Sequence, residues 1–401
     1  MKRILFVHQT SAIGGGSYCL LNILREIDKS MIEPVVCLAS DGPLRKEIES
    51  LKISVVFFRK MVDIPYNKNL WSIYSLLQYF KVKKSISAFQ SLLQSSRIDV
   101  VYLNNMMLYN YLKSAKKCGC KTILHIREHW PLDEHTIQLQ WARKYVYKYA
   151  DEIIAINKYS ASVFPDKKST IVYDWIDFSD RYEPISMNDL FGENVSDCKI
   201  FLFTGGIQRI KGAYEVVKTF SDCISNRNYR LLLLGYDIQK PMKGFVGMLK
   251  KILYSLGFDI NEIKIRKVVA NDKRIKCISS RYKILDIIKQ SYCCVSYFTI
   301  PHANLTLAES LMLGIPIIAA KTEETDEYSG NGHNAILFEI NNLCEFEDRM
   351  KHIDSYIVVD KNKQEKNTLL LTNIFSKEKN VKSTTVQRNF PIGSVDLNRH
   401  H

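Results

Sequence analysis

Short apolar runs alternate with stretches of helical periodicity along the first half of the chain. The run Ile4–His8 is followed by Gly14, Gly15 and Gly16 and then by apolar residues at helical spacing from Tyr18 to Ile27. A strand, a glycine-rich turn and a helix in that order open a doubly wound α/β unit. The spacing of these glycines is not the G-x-G-x-x-G of dinucleotide-binding proteins. Further predicted strands are Pro34–Leu38, Ser54–Phe58, Asp99–Leu103, Thr122–Ile126, Glu152–Ile156 and Ile171–Tyr173.

The same alternation resumes after the polar stretch Asp174–Asp197, which contains Pro184 and which we interpret as a hinge. The second series of predicted strands is Lys199–Thr204, Tyr229–Leu234, Ile275–Ile278, Cys293–Tyr297 and Ile315–Ala319, and its predicted helices are Gly212–Ile224, Tyr282–Gln290 and Leu305–Leu313. Alternation of this kind is typical of parallel sheets covered on both faces. We therefore predict an α/β fold with two Rossmann-like domains facing across a cleft, residues 1–180 and 181–375, followed by a tail at 376–401.

Composition and charge narrow the possible partners. A hydrophobic fraction of 46% and a charged fraction of 24% exclude a wholly disordered chain. Lys and Arg number 56 against 42 Asp and Glu, a formal net charge of +14. This excess favours anionic partners, which include phosphorylated small molecules, nucleic acid and acidic membrane surfaces. No nucleic-acid-binding motif accompanies the charge, so nucleic acid is not expected as a partner.

Cysteine spacing and the apolar runs predict the compartment. The ten cysteines contain no C-x-x-C pair, which argues against a zinc ribbon or a redox dithiol. We expect buried or half-buried free thiols in a reducing compartment. The apolar run at the N-terminus is too short for a secretory signal, and no run approaches the length of a spanning helix. The expected location is the cytoplasm, with any membrane contact peripheral, on the inner face of the plasma membrane.

The segment Arg59–Leu93 interleaves aromatic and basic residues. An amphipathic basic and aromatic stretch can lie on an anionic membrane surface, but a surface helix with its aromatic rings toward the core has the same composition. Both interpretations remain open from the sequence. The large apolar residues are Trp71, Tyr74, Leu77, Phe80 and Phe89, and the lysines are Lys60, Lys68, Lys81, Lys83 and Lys84.

The most specific motif runs from Pro301 to Phe338 and reads PHANLTLAESLMLGIPIIAAKTEETDEYSGNGHNAILF. It resembles the donor-binding motif of the family 4 retaining glycosyltransferases, which have the GT-B fold and in many bacteria build surface polysaccharide. Glu309 stands at the second glutamate of that motif, and Ser310 to Pro316 match its small, apolar, Gly-x-Pro block. Later matches are Glu327, Gly332 and Asn334.

The resemblance implies a nucleotide site around this helix. A carboxylate at Glu309 accepts hydrogen bonds from the ribose hydroxyls of a nucleotide. The N–H groups around Asn304, Leu305 and Thr306 are placed to hold a diphosphate. Pro301 stands where the family has its first, sugar-facing glutamate, and His302 or Asn304 is the candidate substitute.

A second match lies in FTGGIQRIKGAYEVVKTF, Phe203 to Phe220. The family pattern G-R-L-x-x-x-K-G supplies an arginine and a lysine that neutralise the departing diphosphate. Lys211 and Gly212 match, whereas Gly206 occupies the arginine position, so Gly206 is assigned to the donor site and Arg209 is offered as a local replacement. The alternative for Arg209 is a solvated loop arginine. GT-B enzymes use no metal, so positive side chains must stabilise the leaving group.

Weaker matches fall in the first half. GGGSYCLLN, Gly14 to Asn22, resembles the family's G-G-A-E-R-x-L-x-N and assigns Gly15 and Gly16 to the donor. ADEIIAIN (150–157) and IVYDWID (171–177) resemble two further family segments. HIRE, His125 to Glu128, ends a predicted strand where many members present a histidine toward acceptor and sugar. His125 and Arg127 are the candidates here, with His129 as an alternative, and a structural histidine is the competing interpretation.

The resemblance implies a transferase that moves a hexose from a UDP- or GDP-linked sugar to a glycan or lipid-linked acceptor with retention, in surface-polysaccharide synthesis. Residues 1–180 are then the acceptor domain and 181–375 the donor domain, with no cofactor and no metal. Two alternatives remain. One is a nucleotide-sugar epimerase of the same fold, and the other is a non-catalytic relative that serves as a partner subunit.

Overall fold

The computed structural model describes residues 1–64, 73–128, 130, 137–174, 183–236, 238, 244–256, 260–279, 281, 283–300, 305–330 and 335–358. Internal contacts divide the chain into unit 1, Met1–Ile176, and unit 2, Asp177–Phe375. The predicted boundary after residue 180, the tail at 376–401 and the motif residues Pro301, His302, Asn304, Gly332 and Asn334 lie outside the described residues, as does His129.

Unit 1 is built on a seven-stranded parallel sheet. Its strands are β1 (Lys2–His8), β2 (Ile32–Leu38), β3 (Ser54–Phe57), β4 (Val100–Leu103), β5 (Lys121–Ile126), β6 (Glu152–Ala155) and β7 (Ser169–Ile171), in the order β3-β2-β1-β4-β5-β6-β7. Its helices are α1 (Gly15–Glu26), α2 (Pro43–Ser50), α3 (Ile73–Ser96), α4 (Leu112–Lys117), α5 (Ile137–Tyr149) and α6 (Lys158–Ser162), and a 3₁₀ helix (Met106–Tyr111) precedes α4.

Unit 2 repeats the arrangement with six parallel strands. They are β8 (Lys199–Phe203), β9 (Tyr229–Leu234), β10 (Ile275–Ile278), β11 (Cys293–Ser296), β12 (Ile317–Lys321) and β13 (Ile336–Glu339), in the order β10-β9-β8-β11-β12-β13. The helices are α7 (Met187–Phe191), α8 (Ala213–Cys223), α9 (Gly244–Ser255), α10 (Asn261–Asn271), α11 (Leu285–Lys289), α12 (Leu305–Met312), α13 (Glu323–Ser329), α14 (Leu343–Lys351) and α15 (Ile353–Val358), with a 3₁₀ turn at Arg209–Lys211.

The strands are buried because helices cover both faces of each sheet. In β1, for example, the five residues from Ile4 to His8 are all buried, so alternate side chains enter cores on opposite faces. Phe89 of α3 lies in the unit 1 core, and Phe201 and Phe220 pack edge to face in that of unit 2. The prediction of two Rossmann-like α/β domains is confirmed.

Several predicted elements need correction. Strand β13 and six helices of unit 2 were not predicted, namely α7, α9, α10, α13, α14 and α15. β7 begins two residues before the predicted Ile171–Tyr173 and ends two residues earlier. The polar stretch Asp174–Asp197 is not wholly a hinge, because α7 lies within it and buries Leu190 and Phe191.

The segment Arg59–Leu93 has features of both interpretations, a core-facing surface helix and a membrane-contacting surface. Phe89 faces the core, as a surface helix requires, whereas Phe80 is exposed beside the exposed Lys81, Lys83 and Lys84. Trp71 lies outside the described residues, and the side chains of Tyr74 and Leu77 are not among those described. None of the helices in the described part of the chain is long and apolar enough to cross a membrane.

All ten cysteines are free, as predicted. Six are buried and three half-buried, but Cys344 is exposed, so the expectation that all are at least half-buried is wrong at that position. Cys344 lies in the first turn of the surface helix α14.

Candidate functional site

In both sheets the strand order reverses direction at the first strand of the series. β1 lies between β2 and β4, and β8 lies between β9 and β11. Ligands of doubly wound folds bind at the carboxyl ends of the strands at such a reversal. Polar side chains follow the strands at this edge in unit 1, and a glycine-rich turn follows β8 in unit 2.

A directed chain of hydrogen bonds joins the end of β5 to the glycine-rich turn after β1. Arg127 Nε donates to Asn104 Oδ1 at 3.0 Å, and Asn104 Nδ2 donates to His8 Nδ1 at 3.2 Å. Because Nδ1 accepts, His8 carries its proton on Nε2 and donates to Ser17 Oγ at 3.0 Å. Ser17 in turn donates to the carbonyl oxygen of Ala12 at 2.7 Å. Arg127 is thereby coupled to the turn that contains Gly14–Gly16.

Burial keeps His8 neutral. Burial, with a smaller contribution from the nearby Arg127 charge, lowers the pKa of His8 to about 3. A neutral imidazole with one donor and one acceptor nitrogen is what this hydrogen-bond chain requires.

Arg127 is held by a buried ion pair with Asp174. Its Nη1 lies 2.6 and 2.8 Å from the two carboxylate oxygens, and the two side chains are only 6% and 16% exposed. Burial lowers the pKa of Arg127, but the Asp174 carboxylate outweighs it and the net shift is upward. The guanidinium therefore remains charged in a desolvated position.

One ring nitrogen of His125 has no hydrogen-bond partner within the described residues. Its Nδ1 lies 2.5 Å from the Tyr102 hydroxyl and 3.4 Å from Nη2 of Arg127. A guanidinium can only donate, so Nδ1 accepts and the proton lies on Nε2. Burial and then Arg127 lower the pKa of His125 well below its usual value. Within the described residues the buried Nε2 has no hydrogen-bond partner, so its N–H is a candidate donor for a ligand oxygen.

The predicted glycines Gly15 and Gly16 begin α1. Gly14 is the N-cap and makes no side-chain cap, and the space where a Cβ of Gly14 or Gly15 would lie is open. Asn104 Nδ2 also reaches the carbonyl oxygen of Gly16 at 3.4 Å. The start of α1 thus presents backbone N–H groups beside the polar network.

In unit 2 the turn Thr204–Gly212 follows β8. Gly206, at the position where the family has arginine, adopts a left-handed φ of 67°. Gly212 also has a positive φ, and a Cβ there would overlap the ring and carbonyl oxygen of Tyr297. Any other residue is strained at either position. In the turn as this chain forms it, an arginine at 206 would therefore be strained by the backbone conformation.

Lys211 closes this turn in a half-buried position. Its Nζ lies 4.6 Å from the centre of the Phe298 ring, and burial lowers the pKa of Lys211 to about 8. Arg209 lies two residues earlier in the 3₁₀ turn, and its side chain is exposed. Of these two predicted cations, Lys211 is the one in a desolvated environment.

The helix α12 carries the other predicted donor residues. Thr306 Oγ1 in its first turn lies 2.5 Å from Thr204 Oγ1, which joins the helix to the turn after β8. Glu309, one turn further on, is only 1% exposed, and the helix is buried from Thr306 to Leu311. It is therefore not a solvated surface glutamate. Leu305 begins the helix.

Sequence reasoning missed four residues of the unit 1 site. They are His8, Asn104, Glu128 and Asp174, and each lies at or just beyond the carboxyl end of a strand. Glu128 accepts a hydrogen bond from the Met106 N–H at 2.8 Å, and burial raises its pKa to about 7. The position of these polar residues at strand ends was the available signal. Within the described residues, no three His, Cys, Asp or Glu side chains form a group suited to a metal ion.

Comparison with known proteins identifies the architecture. The chain matches no protein-family model, and no curated protein sequence matches it. The structure of Anabaena HepE in complex with UDP and glucose matches with a TM-score of 0.69 at 16% identity, over 96% of this chain and 100% of that chain. The fold is GT-B. Sucrose-phosphate synthase from Thermosynechococcus elongatus shares this GT-B fold (TM-score 0.67, 12% identity, 97% and 98% coverage). So does the lipopolysaccharide outer core galactosyltransferase WaaB (TM-score 0.57, 15% identity, 96% and 100% coverage).

Proposed function

We propose that this protein is a retaining glycosyltransferase that moves a hexose from a UDP- or GDP-linked donor to a glycan or lipid-linked acceptor. The observation that carries the proposal is the turn after β8, where the desolvated Lys211 closes a glycine-rich loop bonded through Thr204 to the helix of Glu309. A cation at a helix-supported glycine turn suits a diphosphate that gains charge as its bond to the sugar breaks.

The chemistry of each candidate residue gives it a separate role in the proposed reaction. We assign Lys211 to the diphosphate, Glu309 to the ribose, and the N–H groups at Leu305 and Thr306 to phosphate oxygens. His125, as a neutral donor through Nε2, and the charged Arg127 are assigned to the acceptor and sugar side. Arg209 is an accessory cation for the diphosphate.

A role in surface-polysaccharide synthesis, at the cytoplasmic face of the membrane, is the biological setting we propose. WaaB, which shares the fold, is a galactosyltransferase of the lipopolysaccharide outer core, and HepE has been crystallised with UDP-glucose. The exposed Phe80 beside Lys81, Lys83 and Lys84 supports a peripheral contact with an anionic surface.

A screen of UDP-, GDP- and ADP-sugars for thermal stabilisation tests donor binding directly. Stabilisation by one sugar nucleotide, followed by its hydrolysis or transfer with the anomeric configuration retained in the product, would support the proposal. Interconversion of the sugar nucleotide without an acceptor would indicate the epimerase. Binding without turnover would indicate a non-catalytic partner, and stabilisation by none of them would contradict a donor site.

We expect Glu309→Gln to weaken binding of the nucleotide by about 1.5–3 kcal/mol, the range for a charge-assisted hydrogen bond. Glutamine keeps the shape of the buried side chain, so the loss reports the charge. Calorimetry with the nucleotide found in the screen measures the effect. Glu324→Gln, at a buried glutamate of the neighbouring α13, is the matched control and should bind normally. Unchanged affinity in Glu309→Gln would show that Glu309 does not bind the ribose.

Donor affinity should fall as the pH rises above about 8. Lys211 is charged below its pKa of about 8 and loses that charge above it. Without this cation an anionic donor binds less tightly, and its affinity should fall by up to about tenfold per pH unit. Lys211→Arg keeps the charge and should bind with no such decline between about pH 7 and 9. Titration of the ligand itself affects both proteins equally. Parallel pH profiles for the two proteins would show that Lys211 does not contact the donor.

A further inference from the structure

The turn after β8 is fixed on both sides by backbone hydrogen bonds. The N–H of Gly206 donates to the carbonyl oxygen of Leu234 in β9 at 3.2 Å, and the N–H of Thr299 donates to the carbonyl oxygen of Ile210 at 3.0 Å. Between these two points the chain passes through residues 207–209, of which the last two are exposed. Whatever holds residue 207 therefore sets the position of the middle of the turn.

Asn261, the first residue of α10, supplies a hydrogen bond to that middle part. Its Nδ2 donates to the carbonyl oxygen of Ile207 at 2.8 Å, and both residues are half-buried. The side chain of Ile207 packs against the unit 2 core. A loop carbonyl has no strand partner, and a side-chain amide is a donor that can satisfy it. Among the residues that the structure describes, no other donor reaches this carbonyl.

The helix that presents this amide is itself anchored in unit 2. Ile263 and Ile265 of α10 are buried, and Ile265 belongs to the unit 2 core. Lys264 Nζ lies 3.9 Å from the centre of the Tyr214 ring, which belongs to α8, the helix that follows the turn. The Asn261 side chain therefore extends to the turn from a helix that is held in place by its own contacts.

The environment of Lys211 depends on how closely this turn packs. Its Nζ lies over the ring of Phe298, and burial is the cause that lowers the pKa of Lys211. Within the described part of the chain, no charged or titratable neighbour contributes to that lowering, including Arg209 on the turn, Glu215 of α8 and Tyr297 just after β11. If the turn moved outward, water would reach the ammonium group and its pKa would rise toward the ordinary value.

We propose that Asn261 is a positioning residue, which holds the carbonyl of Ile207, fixes the turn and thereby keeps Lys211 desolvated against the Phe298 ring. In the reaction its part is to preorganise a cation before negative charge develops on the leaving group. That contribution to the reaction rests on the proposed function, because it requires Lys211 to contact the diphosphate. The effect of Asn261 on the Lys211 side chain does not, since it follows from contacts inside unit 2.

A titration of Lys211 tests the proposal without any ligand. Nuclear magnetic resonance of the full-length protein with isotope-labelled methyl groups on its lysines reports each lysine pKa, and the Lys211 signal is the one absent from Lys211→Arg. In the wild type the pKa should lie at about 8. In Asn261→Ala it should rise by about one pH unit or more, because the loosened turn admits water. Asn271→Ala, the same change at the exposed last residue of α10, is the matched control and should titrate as the wild type does.

A second variant separates the hydrogen bond from a general loss of structure. Asn261→Gln keeps an amide donor, so its Lys211 pKa should lie closer to that of the wild type than the pKa in Asn261→Ala does. An unchanged pKa in Asn261→Ala would overturn the proposal. Equal shifts in Asn261→Ala and Asn261→Gln, or in Asn261→Ala and Asn271→Ala, would overturn it as well, because the donated hydrogen bond would not be the cause.

Kinetics with the sugar nucleotide found in the screen carry the test to the reaction. Asn261→Ala should lower turnover at saturating donor by about tenfold, with a smaller change in KM, because the cation is no longer preorganised. The fall in donor affinity with rising pH should begin about one pH unit higher than in the wild type. A merely structural role would reduce the amount of folded protein and leave this pH profile in place, which would contradict the proposal. A raised Lys211 pKa in a protein that binds no sugar nucleotide would support the positioning role and contradict the proposed function.

Discussion

Lys211→Ala is expected to reduce turnover by about 100-fold or more while changing donor affinity much less. In the proposed reaction the bond between the sugar and the diphosphate breaks, and negative charge accumulates on the departing oxygen. A cation that is already desolvated beside Phe298 requires no reorganisation at that moment. The interaction is therefore stronger in the transition state than in the ground state, which is what lowers a barrier. Single-turnover kinetics with saturating donor measure the chemical step.

The controls distinguish charge from packing. Lys211→Arg should recover much of the rate, because it restores a cation at the same place. Arg209→Ala tests the exposed arginine two residues earlier, and near-normal turnover would assign it to the solvated loop. A defect of Lys211→Ala confined to KM would restrict Lys211 to a binding role and contradict the transition-state assignment.

Most of the fold was predictable because parallel strands buried on both faces leave short, uninterrupted apolar runs. β9 and β10 match their predicted bounds, and most other predicted strands shift by one or two residues. α9 was not predicted, although Met248, Leu249 and Ile252 stand at helical spacing in the sequence and could have indicated it. β13 was missed because four residues inside a longer motif carry little periodic signal.

The residues of the candidate site differ in how far the sequence alone could predict them. Lys211 and Glu309 were proposed from the motif resemblance, which depends on local sequence alone. The unit 1 network depends instead on sheet order: His8 and Asn104 are 96 positions apart and meet only because β1 pairs with β4. No local pattern predicts that neighbour relation. The replacement of the motif arginine by Gly206 also became interpretable only when its positive φ was known.

Asp174→Asn is expected to destabilise unit 1 by about 3–5 kcal/mol, the cost of leaving a buried charge without its partner. Asparagine is also the residue that the family motif carries at this position, so resemblance alone would predict a neutral or favourable change. The structure predicts the opposite because Arg127 is buried and directs Nη1 at both carboxylate oxygens.

Tryptophan fluorescence during urea unfolding is a selective measurement of this effect. All four tryptophans of the chain, Trp71, Trp130, Trp141 and Trp175, belong to unit 1, so the signal does not report on unit 2. Asp41→Asn is the matched control in the same unit. It removes an exposed ion pair with Arg45 at 3.2 Å and should cost no more than about 1 kcal/mol.

The double variant Arg127→Gln, Asp174→Asn completes the cycle. Removing both charges leaves no buried ion without a partner, so the pair should be more stable than Asp174→Asn alone, with a coupling energy of about 1–3 kcal/mol. Asn104 loses the Arg127 donor in both proteins that lack the arginine, and the single variant Arg127→Gln accounts for that loss. If Asp174→Asn and Asp41→Asn shift the urea midpoint equally, solvent or another group compensates the Arg127 charge. The ion pair would then not be what fixes the guanidinium beside His125.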